Sequence, residues 1–226
     1  LITGIWLMFQ NNLMMAAAGA ALPDATVSFE STAVDTTDQS SPYTFSSQGI
    51  GDAAPNRTVV VVTVAHINSG TISDVTIGGN TATEIEYSNA GGVGSEEVAM
   101  WAYDLTTGTT ADIVVTCGPS NRMQIGTWAL YGVGAPSSTI EDASVPYSAS
   151  ITIEAGGVAV AGSVNNISGS TATWGSDFTE RYDTAVEPHT KASGADSTGE
   201  GSKTVSITWT GSAGLGALIA AAWPKG

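Results

Sequence analysis

The chain has 226 residues, 42% of them hydrophobic and only 12% charged, and its 21 acids against 6 bases give a net charge of −15. Length and apolar fraction are sufficient for a packed core and exclude a disordered chain. The charge excludes a phosphate-backbone partner and disfavours adsorption to an anionic membrane, so neither nucleic acid nor membrane is an expected partner.

Near the head of the chain stands LMFQNNLMMAAAGAALP, residues 7–23. Leu, Met, Ala and Gln favour a short helix over residues 1–22, and Pro23 ends it. No positively charged region precedes the apolar run, and Gln10, Asn11 and Asn12 divide it, so it reads as neither an export signal nor a membrane span. A segment apolar nearly all round must still be covered by something. Trp6, Leu7, Met8, Phe9, Leu13, Met14 and Met15 are therefore the expected assembly or anchoring residues, sheltered between copies of the chain.

From Val27 the period changes to two, with turn residues between runs. RTVVVVTVAHI (57–67) is continuous and β-branched, which predicts a central strand covered on both faces. VTIGGNTATEIEY predicts two short strands around a turn at Gly78, Gly79 and Asn80. EEVAMWAYDL, ADIVVTC and IGTWALYGVG follow as strands. APSSTIEDASVPYSAS, bounded by Pro136 and Pro146, reads as a connection. ITIEAGGVAVAGSVN and ATWGSDFTERYD come next, then a polar stretch from Val186 to Ser202. KTVSITWTG alternates, with Val205, Ile207 and Trp209 on one side, and predicts a half-buried antiparallel strand.

An internal echo links residues 75–87 with 172–183: each has a Thr-x-Gly core followed by Thr-Glu, after a Val-rich strand. The expected fold is all-β, a jelly-roll-like antiparallel sandwich with an apolar N-terminal arm or short helix. Residues 1–23 form the arm. Residues 24–226 form a single sandwich domain from two similar halves, about 57–134 and 151–226.

Chemical motifs are sparse. The single cysteine, Cys117, excludes an intrachain disulfide, and its place on a strand face with Ile113 and Val115 predicts a buried thiol. His66 and His189 stand alone in sequence, which argues against zinc. Glu84 and Glu86 are expected on one strand face, where paired carboxylates could hydrolyse glycosides, with Glu96 and Glu97 beyond the next turn. Asp35, Asp38 and Ser40 make an acidic loop that could take calcium, although solvated carboxylates are the commoner outcome and no cofactor is expected. Trp128 and Trp209 are expected in the core. Trp101 and Tyr103 share a strand face and are the best candidates for a ligand platform, with core filling the commoner fate of such a pair.

MFQNNLMMAAAG (8–19), followed by Gly/Ser/Thr-rich β segments, resembles the start of many virion proteins of tailed bacteriophages, although LITGIWL precedes Met8 here. WAYDLTTGTTADIVVT resembles β-sandwich phrases of phage and prophage proteins. The resemblance implies a non-enzymatic structural protein on the particle exterior: capsid decoration, head fibre or spike, or tail-fibre component. It implies self-association, with trimers the commonest case, and contact with other virion proteins. It transfers no catalytic residues. The rival reading is a receptor- or carbohydrate-binding module that takes host surface glycans on Trp101 and Tyr103.

Overall fold

A computed structural model of the chain describes residues 22–226, apart from 38–39, 68–69, 92–95, 188, 212–214 and the side chains of 120 and 121. The arm residues Trp6 to Met15 lie outside the described residues. No helix among those described is long and apolar enough to cross a membrane.

In chain order the strands are β1 (Thr26–Asp35), β2 (Tyr43–Gly49), β3 (Arg57–Ile67), β4 (Ile72–Ile77), β5 (Asn80–Thr81), β6 (Thr83–Asn89), β7 (Glu96–Tyr103), β8 (Thr110–Cys117) and β9 (Ser120–Tyr131). There follow β10 (Ser138–Asp142), β11 (Ser148–Ile153), β12 (Val158–Asn166), β13 (Ala172–Trp174), β14 (Thr179–Ala185), β15 (Thr190–Thr198), β16 (Gly201–Trp209) and β17 (Gly216–Trp223).

The described residues are all-β and sandwich-like, and their four sheets fall into two pairs. The first half has a sheet of order β1-β9-β3-β7-β6 and another of order β2-β8-β4-β5. The second half has β10-β17-β12-β15-β14 and β11-β16-β13. Strand for strand the orders correspond: β1 matches β10, β2 matches β11, β3 matches β12, and so on to β9 and β17, with the two-residue β5 lacking a counterpart. The sequence echo falls on matching strands. In both halves a bulge follows the shared Thr-Glu, between Glu84 and Glu86 in β6 and between Glu180 and Tyr182 in β14.

Three apolar layers hold the sheets. One lies between the first pair, with Val59, Val61, Ile113 and Val115. Another lies between the second pair, with Ile151, Ala161, Val205 and Leu218. The third joins the two large sheets to each other, with Val60, Val62, Val64, Met100, Trp128, Val160, Ile219 and Trp223. The single sandwich expected from the two sets is thus a stack of two, each set owning its own pair of sheets. β3 is buried on both faces because its even residues serve the third layer and its odd residues the first. The inner sheets approach closely enough that a Cβ on Gly162 would lie 2.5 Å from Val62 Cγ1.

The turn at Gly78 and Gly79 is present, with φ of 59° and 79°, which only glycine adopts freely, and it pairs Ile77 with Asn80. Two segments depart from expectation. The stretch read as a connection contains β10 and the first half of β11; β10 is short, half-exposed and paired on one side only, to β17, so it shows no continuous apolar run. The polar stretch contains β15, a strand buried between β12 and β14 despite the sequence TKASGADST.

The two ends meet. Ala25 N–H donates to the Gly156 carbonyl at 2.8 Å, Gly226 N–H to Gly132 at 2.9 Å, and Lys225 Nζ lies 3.6 Å from Asp24 Oδ1.

Candidate functional site

The third apolar layer is closed at one end by a polar row. In the first inner sheet Arg122 of β9, His66 of β3 and Glu96 of β7 are neighbours across adjacent strands. They continue the even-numbered face of Val60, Val62 and Val64, so they point at the second half. In the opposing sheet Asn166 of β12 pairs with Thr190 of β15, and the turn before Thr190 carries Glu187. The turn is tight: Val186 N–H and Glu187 N–H both donate to the Thr190 carbonyl, at 2.9 and 3.2 Å.

Where the rows meet, Glu96 Oε1 lies 3.0 Å from His66 Nδ1 and accepts from Asn166 Nδ2 at 2.5 Å. The Thr190 hydroxyl lies 3.1 Å from that oxygen and 3.0 Å from Glu187 Oε1, and its single proton serves one of them at a time. Arg122 pairs with Glu187 Oε2 and donates through Nε to the Thr36 carbonyl at 3.0 Å. Glu96 is fully enclosed, whereas the Glu187 side chain is 12% exposed and that of His66 19%. Every one of these contacts to Glu96 or Glu187 except those of the turn itself joins residues remote in sequence, and most of them cross between the halves.

Glu97 faces the other way, into the first sandwich. Its Oε2 accepts from Ile72 N–H at 3.0 Å and its Oε1 from Asn89 Nδ2 at 3.1 Å. Burial pushes its carboxyl above the usual range, and the donors from Ile72, Tyr87 and Asn89 pull it only part of the way back. Burial, together with the Glu97 charge, lifts the neighbouring Tyr87 hydroxyl to about 12, against the lowering bond from Asn89. Burial likewise raises the Cys117 thiol, in keeping with the inert core cysteine expected.

The other sequence candidates do not come together. Trp101 is 4% exposed and enclosed in the first sandwich, so it forms no outward platform with Tyr103; core filling is its role. Tyr103 instead borders a cleft of about 510 Å³ at the opposite end of the inter-half layer, with Thr58, Thr83, Asp104, Pro136 and the edge of Trp223. The bulge after Glu84 removes the simple alternation that would set Glu84 and Glu86 side by side, and Glu86 Oε1 instead accepts from Tyr87 N–H at 3.1 Å. Asp35 accepts from Thr37 N–H at 2.9 Å in a local turn, and Asp38 lies outside the described residues. The polar seam was missed because its six members come from distant segments. The signal present was the period-two extension from Val60, Val62 and Val64 to His66, and from Met100 and Val98 back to Glu96.

No protein-family profile matches the chain, and no curated protein is similar to it in sequence. Among solved structures it is similar to the crystal structure of PBSX exported protein XepA, at 10% identity over 87% of this chain and 86% of that one. The TM-score is 0.25, below the level at which two chains share a fold.

Proposed function

We propose that this chain is a non-enzymatic structural subunit on the exterior of a tailed-phage particle, assembled or anchored through its apolar N-terminal arm. The observation that carries the reading is the use made of the reactive side chains. His66, Glu96, Glu187 and Arg122 bind one sandwich to the other, and Glu97 and Trp101 lie within the first sandwich, so groups suited to catalysis or recognition brace a rigid body. The virion resemblance of residues 8–19 and the net charge of −15, which keeps copies apart except where a specific contact is built, point the same way. An arm as apolar as residues 1–22 needs cover that a neighbouring copy supplies.

Light scattering after size exclusion tests this on the full chain and on residues 24–226. The full chain is expected to be a defined oligomer and the shortened chain a folded monomer, with Leu13→Asp, Met14→Asp and Met15→Asp together reproducing the shortened form. A monomeric full chain would refute the reading.

The cleft beside Tyr103 favours a second reading, a glycan-binding module, since an aromatic edge, a carboxylate and threonine hydroxyls line it. Binding on a glycan array that Tyr103→Ala abolishes would support it.

A further inference from the structure

We propose that the polar seam is a structural site for a first-row divalent cation of the zinc type, held by His66 Nδ1 and Glu96 Oε1 from the first sandwich and Glu187 Oε1 from the second. Each of the three residues offers one ligand atom, and these atoms lie within 4.8 Å of one another. His66 Nδ1 is 3.0 Å from Glu96 Oε1 and 3.9 Å from Glu187 Oε1. A tetrahedral ion with bonds of about 2.0–2.1 Å sets its ligand atoms roughly 3.4 Å apart, between those two separations.

Two further features call for a cation. Glu96 is 0% exposed, and its second oxygen, Oε2, is buried without a donor among the described residues. A carboxylate so enclosed is costly unless positive charge compensates it. With the imidazole neutral, as a metal ligand must be, the charge set against these two carboxylates among the described residues is the guanidinium of Arg122, which pairs with Glu187. A divalent ion supplies the missing charge. Arg122 occupies Glu187 Oε2 and leaves Oε1 for the ion, while Asn166 and the Thr190 hydroxyl orient the two carboxylates from outside the ligand set. One imidazole nitrogen with carboxylates suits zinc better than calcium, which collects six to eight oxygens. The fourth position falls to water. Because its ligands come from both sandwiches, the ion would staple one to the other.

The full chain, stripped with chelator, is titrated with Zn²⁺ by calorimetry and followed by thermal melting. Expected are one equivalent bound per chain and a melting temperature several degrees higher. His66→Ala and Glu96→Gln should each weaken binding at least tenfold, while His189→Ala, at an exposed histidine of the Glu187 turn that is not among the ligands, leaves it unchanged. X-ray absorption of the zinc-loaded wild-type chain needs no variant to fold and should show one imidazole in an otherwise oxygen shell. The proposal is overturned by the lack of a saturable single equivalent, by binding that survives His66→Ala, by binding lost with His189→Ala, or by sulfur in the shell.

Discussion

Arg57 sets a guanidinium, 1% exposed, against four main-chain carbonyls: Nε donates to Leu105 at 2.7 Å, Nη1 to Gly51 at 2.7 Å and Gly108 at 2.8 Å, and Nη2 to Thr107 at 2.8 Å. The planar fork closes the loop after β7 onto the start of β3. Lysine has one donor group on a flexible stem and cannot reach four diverging acceptors, so Arg57→Lys is expected to lose about 2–4 kcal/mol in urea unfolding. Glu97 makes a different prediction. Its folded-state pKa lies above its unfolded value, so the protonated form is the one that folding favours. Its contribution is complete below the unfolded carboxylate pKa and is lost as pH rises through the higher folded one. Wild-type stability should therefore carry a component that falls as pH rises above the ordinary carboxylate range, and Glu97→Gln should lack it. Urea midpoints measured across that range for both chains decide the matter; parallel profiles would exclude the assignment.

At the scale of elements, β15 shows how packing can override a sequence pattern. Ser193 accepts the Trp174 indole N–H at 2.8 Å and donates to the Tyr182 carbonyl at 2.7 Å, so its polarity is fully used inside. Asp196 accepts the Trp128 indole N–H at 3.0 Å and two bonds from Arg181 at 2.7 Å. Gly194 of β15 and Gly126 of β9 both approach the Tyr182 ring, and a Cβ on either would lie 2.4 Å from Tyr182 Cε1. Gly126→Ala and Gly194→Ala should each cost about 1–3 kcal/mol by overpacking. Because both would displace the same ring, the double variant should lose less than the sum, which a double-mutant cycle in denaturant would show. The strand was unreadable for the same reason: hydrophobic periodicity marks large apolar side chains, and the buried positions here hold Ala, Ser and Gly beside the polar Thr190 and Asp196. β3 was legible as a continuous run of large β-branched residues, and β16 because its large apolar residues keep to period two. Of the site, only the faces of His66 and Glu96 could be inferred from their own strands. Their partners depend on which strands adjoin and which sheets stack, and neither is encoded locally.

For the molecule as a whole, the third apolar layer decides how it behaves. Trp128, Trp223, Met100 and Ile219 are buried between the halves at 0–1% exposure, and either half alone would present this surface to water. The stack is therefore expected to unfold in one cooperative transition, with equal calorimetric and van't Hoff enthalpies, and the halves expressed separately should associate on mixing. Two resolved transitions would mean that the layer couples the sandwiches weakly. The meeting of Asp24 with Lys225 carries a geometric corollary. Both stand at the Arg57 end of the strands, across the length of the sheets from His66 and Glu96. A tether fixed to either of these two residues would leave the far tip, where the partly open His66 imidazole closes the layer, facing away from it.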